Sequence, residues 1–372
     1  MIPKQEIVKV NGSVTYIKKC GDYVAICDNL YNFYLLNAIK NSFVKSINIT
    51  KKSEPLHKYS KAISISGEGI VCLSLNKSTK IFILDSKDGF KNLKTISWHK
   101  AGIFTTMFTI NDNYLLSGGE DGKCFVFKTP EYEPYAILEP RPDYISDFAF
   151  DASKEIMVIS GYDKKCQIFS IESNKILSEF ETPDITEAVS ISIDGLVFYA
   201  CKDGTTGVFS IEKNKKLSEE KTLNDWPTSL AMINSERYCI IATRGDTLYL
   251  MNTEENCVLK SIKLENHGMS TVRIIDGKIY LGFIDGSIYI INALEQKDEF
   301  IEALNSKDIT KILPFCESNI FLKTLMQFDD FAKANWKNVL RESIDMLAKN
   351  QIQEALRNVS LFIYIKRRKK EF

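Results

Sequence analysis

The 372-residue chain lacks several features that would assign it to a class at once. Its longest apolar runs, such as residues 361–365, are far shorter than the ~20 residues that a membrane-spanning helix needs. No apolar segment follows a charged N-terminus, so no secretory signal is expected. The net charge is zero, because 48 Lys and Arg residues balance 48 Asp and Glu residues. We therefore expect a soluble, cytoplasmic, globular protein.

Paired cysteine spacing is absent as well. The nine cysteines never occur as C-x-x-C, and an odd count without pairing argues against a disulfide framework or a zinc module. Cys124 and Cys166 each follow an aspartate by three residues, which indicates one repeated structural position. The cysteines are interpreted as small buried hydrophobes in a reducing compartment. No metal and no cofactor are expected.

The zero net charge conceals an uneven distribution. Residues 1–100 carry 16 basic and 7 acidic groups, whereas residues 101–200 carry 7 and 17. A general binder of the phosphate backbone needs one broad positive surface, so nucleic acid is not the favoured partner. It remains an alternative through basic residues of the first two repeats and the C-terminal tail, which include Lys51, Lys52, Lys77, Lys80, Arg367 and Arg368.

A unit of two strands joined by a tight polar turn recurs seven times between residues 20 and 293. The last apolar residue of its second strand falls at Leu36, Leu84, Phe127, Phe169, Phe209, Met251 and Ile291. Successive spacings are 48, 43, 42, 40, 42 and 40 residues, close to the ~40–45 residues of a four-stranded propeller blade. The sequence therefore predicts an all-β seven-bladed β-propeller over residues 1–293.

The first and last units are complementary. The seventh unit lacks a fourth strand, whereas a spare strand at residues 6–10 precedes the first unit. We predict that residues 6–10 pair with the last blade, which closes the ring and removes an open sheet edge. The turns agree with the blade pattern, because the Asp-Gly pairs at Asp121, Asp203 and Asp285 favour two-residue hairpin turns.

These units resemble the WD-repeat β-propellers. That family places a histidine in the loop entering a blade, Ser or Thr on the second strand, and Asp in the next turn. Trp-Asp ends the third strand. In the third unit, His99, Ser117, Asp121 and Phe127 follow this order and spacing, although no unit ends in Trp-Asp. The resemblance implies a buried polar bridge between loop and turn, and a lesser bridge between His267 and Asp285 in the seventh blade.

The set of His99, Ser117 and Asp121 has an alternative interpretation as a catalytic triad. A triad also needs an exposed nucleophile and an oxyanion hole, so the structural bridge is preferred. His57 occupies the same loop position in the second unit but has only Asn76 at the matching turn. A weak or absent bridge is expected there.

Residues 294–372 change from a period of two to a period of 3.6 and predict a small α-helical extension. Residues 329–349 and 351–359 form a predicted helical hairpin, similar to the turns of α-solenoids such as the tetratricopeptide class. Its apolar stripe either packs on the propeller or contacts a partner. The residues assigned to that possible contact are Trp336, Leu340, Ile344 and Leu347.

The function predicted from these patterns is a non-catalytic scaffold or adaptor that binds other proteins within a multiprotein complex. The alternative is an RNA-associated propeller that assists ribonucleoprotein assembly. A propeller enzyme would need acidic or histidine residues aimed into the central channel, and the sequence places none there.

Overall fold

A computed structural model describes residues 5–50, 53–192, 194–233, 238–253, 255–264, 268–276 and 278–292. The predicted C-terminal helices with Trp336, Leu340, Ile344 and Leu347 lie outside the described residues. His267, Lys51, Lys52, Arg367 and Arg368 also lie outside them. Residues 6–290 form one compact unit, in which every regular element of the described part is a β-strand.

The strands form seven four-stranded sheets, or blades. The N-terminal strand β1 (Gln5–Lys9) belongs to the last blade. Blade 1 contains β2 (Val14–Cys20), β3 (Tyr23–Asp28), β4 (Asn32–Asn37) and β5 (Ser42–Asn48). Blade 2 contains β6 (Ile63–Ile65), β7 (Ile70–Ser74), β8 (Ile81–Asp85) and β9 (Lys91–Ile96). Blade 3 contains β10 (Ile103–Phe108), β11 (Tyr114–Gly119), β12 (Cys124–Lys128) and β13 (Glu133–Ile137).

The remaining blades continue the same order from the inner to the outer strand. Blade 4 contains β14 (Ile145–Asp151), β15 (Ile156–Gly161), β16 (Lys165–Ser170) and β17 (Lys175–Glu181). Blade 5 contains β18 (Thr186–Ile191), β19 (Leu196–Cys201), β20 (Thr205–Ser210) and β21 (Lys215–Lys221). Blade 6 contains β22 (Pro227–Met232), β23 (Tyr238–Thr243), β24 (Thr247–Asn252) and β25 (Cys257–Lys263). Blade 7 contains β26 (Met269–Ile275), β27 (Lys278–Phe283), β28 (Ser287–Asn292) and β1.

Burial follows the position of each strand in its blade. Every residue of β20 is buried, whereas the neighbouring outer strand β21 is almost wholly exposed and rich in Lys and Glu. Apolar side chains pack between adjacent blades, as where the Phe180 ring on the outer strand of blade 4 stacks on the Phe209 ring of blade 5 at 4.2 Å. Charged outer strands protect the remaining edges from further pairing. The predicted all-β seven-bladed propeller is confirmed.

The two ends of the propeller meet in blade 7. Strand β1 lies beside β28, and the Val10 amide just beyond β1 donates a 2.9 Å hydrogen bond to the Gly286 carbonyl. The edge of β28 is thereby covered by the beginning of the chain, and the short strand β1 becomes the outer strand of blade 7.

The inner strands of six blades each contain a β-bulge near their first residue. In blades 4, 6 and 7 the bulged residue is Ser or Thr, and its hydroxyl donates to the first carbonyl of the next inner strand. These pairs are Ser146 to Thr186, Thr228 to Met269 and Ser270 to Val14. Blades 3 and 5 carry Phe104 and Glu187 at this position instead. In blade 1 the bulged Thr15 donates to the Cys27 carbonyl of its own blade instead. Blades 1, 3 and 5 therefore lack the hydroxyl link.

Candidate functional site

The structure brings His99, Ser117 and Asp121 together in blade 3. His99 Nδ1 lies 3.0 Å from Asp121 Oδ1, and its Nε2 lies 2.9 Å from Ser117 Oγ. The same carboxylate accepts hydrogen bonds from the backbone amides of Lys100 at 2.8 Å and Lys123 at 3.1 Å. One aspartate therefore joins the loop entering the blade to the turn between its second and third strands.

Glycine and an aromatic ring make room for the imidazole. A Cβ on Gly119 would lie 2.5 Å from His99 Nδ1, so any larger residue would displace the histidine. The Phe125 ring meets the imidazole edge-on, with ring centroids 4.7 Å apart. The histidine is thus held by packing as well as by hydrogen bonds.

The electrostatics of this bridge favour a neutral histidine and an ionised aspartate. Burial lowers the pKa of His99, and the hydrogen bond and charge of Asp121 offset this only in part. Burial would raise the pKa of Asp121, but hydrogen bonds from the Lys100 amide and His99 outweigh it and hold that pKa below its usual value. A neutral imidazole then donates from one ring nitrogen and accepts at the other.

The same contacts argue against catalysis by this set. Ser117 has 0% of its surface exposed and His99 has 6%, so the hydroxyl cannot reach a substrate. A nucleophile needs access to the reacting carbon as well as a neighbouring base. The contacts instead satisfy buried polar groups and fix a loop to a turn.

The other predicted site residues behave differently. Asp285 accepts hydrogen bonds from the Ser287 amide and hydroxyl, both at 2.9 Å, while its predicted partner His267 lies outside the described residues. His57 accepts a long 3.4 Å hydrogen bond from the Tyr59 amide, and no described hydrogen bond joins it to Asn76. The bridge between blade 7 residues therefore stays a prediction.

The sequence reasoning missed an arginine bridge in blade 4. Arg141 Nε donates to Asp163 Oδ2 at 2.8 Å, and a second guanidinium nitrogen donates to the other carboxylate oxygen. The guanidinium also donates to the carbonyls of Ile159 at 3.2 Å and Lys165 at 2.6 Å. Both charged side chains are almost fully buried. The missed signal was spacing, because 22 residues separate arginine and aspartate here, as they separate histidine and aspartate in blade 3.

A second missed cluster lies at one end of the ring, here called the channel mouth. The Arg244 guanidinium lies 3.4 Å from the ring centre of Trp226 and 4.2 Å from that of Tyr59, and Lys202 Nζ lies 4.2 Å from the Trp226 ring centre. Tyr59 lies in the loop that precedes the inner strand of blade 2, whereas Arg244 directly follows β23 in blade 6. These blades are not neighbours, so the contact reaches across the mouth.

Lys61 extends the same cluster to two further blades. Its ammonium lies 3.0 Å from the Asp147 carboxylate in blade 4 and donates a 2.6 Å hydrogen bond to the Glu187 carbonyl in blade 5. The segment entering blade 2 is therefore fixed to several inner strands at once. No local sequence motif marks this cluster, because its members come from separate blades.

Ion pairs also link the basic and acidic parts of the sequence. Three of them join a lysine of the first hundred residues to an acid of the second hundred: Lys18 to Asp112 at 3.3 Å, Lys61 to Asp147 at 3.0 Å and Lys94 to Glu133 at 2.7 Å. Lys77 and Lys80 are exposed. The excess of positive charge is thus partly neutralised within the fold.

The described residues contain neither a metal-binding cluster nor a membrane-spanning helix. Across that part of the chain, no group of three or more His, Cys, Asp or Glu side chains is placed to hold a metal ion. Likewise, no helix with the length and apolar character of a membrane span occurs in the described ranges.

Comparison with known proteins identifies the repeat. The family profile described as "WD domain, G-beta repeat" matches residues 90–128, which contain the blade 3 bridge. WD repeat-containing protein 55 of Homo sapiens is 23% identical over 154 residues, covering 41% of this chain and 40% of its own length. The same protein of Rattus norvegicus gives equal values. Protein ROOT INITIATION DEFECTIVE 3 of Arabidopsis thaliana is 24% identical over 162 residues, covering 40% of this chain and 36% of its own length.

The chain thus spans about two fifths of the length of the curated relatives that it matches. The repeat match, the relatives and the blade architecture agree with one another. The predicted resemblance to WD-repeat propellers is confirmed for the repeat at residues 90–128, and the protein is a seven-bladed β-propeller.

Proposed function

We propose that this protein is a non-catalytic scaffold that binds other proteins within a multiprotein complex. WD-repeat propellers bind other proteins as a class, and this chain has the closed ring of that class. The observation that carries the proposal is the channel mouth, where Tyr59, Trp226 and Arg244 are only half-buried. Aromatic and arginine side chains on a rigid frame are typical of protein interfaces.

The test starts from capture by the full chain. The purified protein is used as bait in an extract, retained proteins are identified by mass spectrometry, and each candidate is then purified and titrated against the chain. A partner that forms a complex of defined stoichiometry supports the proposal. If no purified candidate binds, or if the chain alone turns over a small-molecule substrate, the proposal is wrong.

A separate titration distinguishes the RNA-associated alternative from the protein scaffold. The chain is titrated with single-stranded RNA at several salt concentrations, because contacts to phosphate weaken steeply as salt rises. The ion pairs between basic and acidic blades argue against one broad positive surface. Tight, salt-dependent RNA binding that is lost in a Lys77→Ala/Lys80→Ala variant would favour the RNA-associated function over the protein scaffold.

A cytoplasmic location is part of the proposal. Its support is the state of the cysteines, since six cysteines of the described residues are buried free thiols. Reducing compartments preserve such thiols.

A further inference from the structure

One group of lysines at the junction of blades 2 and 3 keeps its charge unpaired. Three other lysines of the first hundred residues are neutralised by ion pairs with acids of later blades. Among the described residues, no ion pair joins a carboxylate to the ammonium of Lys77, Lys80, Lys100 or Lys123. Together with Trp98 these lysines are here called the lysine rim. Unpaired surface charge favours a partner of opposite charge.

Backbone hydrogen bonds bring the parts of the lysine rim to the same end of the two blades. The amides of Lys100 and Lys123 donate to the two oxygens of the Asp121 carboxylate, at 2.8 and 3.1 Å. The Ile103 amide, at the start of β10, donates to the Ser78 carbonyl at 3.2 Å. The turn between β7 and β8, which carries the other two lysines, is thereby tied to the loop entering blade 3.

An exposed tryptophan lies among these lysines. The Trp98 ring meets the Phe125 ring edge-on with centroids 6.0 Å apart, and Lys123 Nζ lies 6.0 Å from the same Phe125 centre. Phe125 belongs to the buried cluster between blades 2 and 3, as does Ile81, which directly follows Lys80. Trp98 therefore covers the end of this cluster, and 45% of its surface stays exposed. Tryptophan held on a rigid frame is a frequent anchor in protein interfaces.

The acidic residues of the same turns do not cancel the charge of the lysine rim. The Asp121 side chain is 9% exposed and is bonded within the blade 3 bridge. The Glu120 amide donates to the Gly102 carbonyl at 2.8 Å, and a Cβ on Gly102 would lie 3.0 Å from the Glu120 carboxylate carbon. Gly102 directly precedes the inner strand β10, so this carboxylate lies toward the inner side of the loop.

The turn between β7 and β8 is fixed before any partner arrives. The Lys80 amide donates to the Ser78 hydroxyl at 3.0 Å, and the Asn76 amide donates to the Tyr31 hydroxyl at 2.9 Å. The Asp121 bridge fixes the loop entering blade 3 in the same way. Binding to such a surface costs little ordering of the protein.

The chemistry of the lysine rim favours an acidic protein segment over a nucleic acid. Its separate ammonium groups are point charges, which match carboxylates spread along an extended segment. Its one exposed ring, that of Trp98, suits an apolar side chain beside those carboxylates. A single-stranded nucleic acid is bound instead by several stacking rings along a continuous positive groove.

We propose that the lysine rim binds a segment of a partner protein that is rich in Asp and Glu and packs an apolar side chain against Trp98. This inference rests on the proposed scaffold function and adds the chemistry of the partner. It also gives the Asp121 carboxylate a second role, because that carboxylate fixes the two backbone segments that carry Lys100 and Lys123.

The test compares two peptides of equal size that differ in charge. The probes are acetyl-Glu-Glu-Leu-Glu-Glu-amide, its counterpart acetyl-Gln-Gln-Leu-Gln-Gln-amide, and a uridine hexanucleotide. The full chain is labelled with 5-fluorotryptophan, and the Trp98 signal is assigned by a Trp98→Phe variant and followed by ¹⁹F NMR. The acidic peptide should shift this signal in a saturable way, with a Kd at least about fivefold lower than that of the glutamine peptide. This advantage should shrink as salt rises from about 50 to about 500 mM.

The matched variants are Lys80→Gln/Lys100→Gln and Lys213→Gln/Lys215→Gln. Each removes two exposed positive charges, but Lys213 and Lys215 lie in blade 5, where β21 begins. The first variant should raise the Kd of the acidic peptide about fivefold or more, and the second should leave it within about twofold. Replacing the central leucine of the peptide by serine should weaken binding about threefold or more, because the apolar contact with Trp98 is lost.

Several outcomes would overturn the inference. They are equal binding of the two peptides, equal binding of the leucine and serine peptides, no saturable shift up to about 5 mM acidic peptide, or unchanged binding by folded Lys80→Gln/Lys100→Gln. Tighter binding of the uridine hexanucleotide, lost in the same variant, would assign the lysine rim to RNA instead. If that variant does not fold, the comparison of the two peptides on the native chain still decides the question.

Failure of this inference is distinguishable from failure of the scaffold function. If a purified partner binds the native chain and Lys80→Gln/Lys100→Gln equally, the scaffold stands and the site for an acidic segment does not.

Discussion

Arg141 and Asp163 in blade 4 stand where His99 and Asp121 stand in blade 3. The two pairs have the same separation of 22 residues, and each joins the loop entering its blade to the following turn. Imidazole and guanidinium have different acid–base chemistry but both donate to a carboxylate. Because either group can occupy this loop position, the requirement there is a donor that connects the loop to the turn. This supports the structural interpretation of His99, Ser117 and Asp121 in blade 3.

The Asp121→Ala substitution tests that connection. It removes the acceptor for buried His99 and for the backbone amides of Lys100 and Lys123. We expect the free energy of unfolding to fall by about 1–3 kcal/mol, because unsatisfied buried donors are costly. Urea denaturation monitored by circular dichroism measures this loss.

The matched control for this test is Asp203→Ala. Asp203 holds the same turn position in blade 5, but within the part of the chain that the structure describes it accepts hydrogen bonds only from the amide and hydroxyl of Thr205. The control should lose clearly less stability than Asp121→Ala. Equal losses in the two variants would show that the histidine bridge adds nothing to the turn.

The arginine bridge predicts a larger effect. Arg141→Met leaves the Asp163 carboxylate buried without its partner, and we expect a loss of about 3–5 kcal/mol in the free energy of unfolding. The double variant Arg141→Met/Asp163→Leu should recover part of that loss, since it buries no unpaired charge. Lys165→Met, which breaks a surface ion pair with Glu179 in the same blade, is the control and should change little. A double variant no more stable than Arg141→Met would contradict the account.

Acid should weaken the blade 3 bridge. Because burial lowers the pKa of folded His99, the unfolded chain binds the proton more readily than the folded chain. The resulting destabilisation begins as pH falls through the ordinary histidine pKa of about 6.5. The stability advantage of the native chain over His99→Gln should therefore shrink between about pH 7.5 and pH 5.5.

Urea denaturation of both chains across this pH range makes the measurement. Using the difference between the two chains cancels the titration of His57, whose pKa is also lowered by burial. An advantage that stays constant or grows on acidification would mean that His99 is protonated in the folded state. Asp121 acts in the same direction at lower pH, since its pKa is held below the usual value.

Repeat spacing was sufficient to predict the architecture. The alternating apolar pattern of strands such as β20 and the recurring Asp-Gly turns are local signals, and seven copies reinforce one another. The members of the blade 3 bridge were also identifiable, because His99, Ser117 and Asp121 keep a fixed spacing inside one repeat. The resemblance to a known family supplied the physical role.

The channel mouth could not be predicted in this way. Tyr59, Glu187 and Arg244 lie in different repeats, and their proximity depends on ring closure and on the length of the loop entering blade 2. Arg141 was missed for a different reason, since a search for histidine at the loop position passes over an arginine. Spacing to the turn aspartate is the more general signal.

The closure of the ring is tested by paired glycine substitutions. Gly286 and Gly21 both have positive φ, at 84° and 55°, so alanine strains the backbone at each. A Cβ on Gly286 would lie 2.3 Å from the Val10 carbonyl oxygen where the chain ends meet, whereas a Cβ on Gly21 would have nothing within 4 Å.

Gly286→Ala should therefore lose about 1–3 kcal/mol more than Gly21→Ala, because only the former displaces the segment that completes blade 7. Thermal unfolding measures the loss, and light scattering after mild heating measures aggregation through the exposed edge of β28. If both variants unfold at the same temperature and neither aggregates earlier than the native chain, the contact between Val10 and Gly286 does not hold the ring closed. The stability of the propeller would then depend on the packing between blades alone.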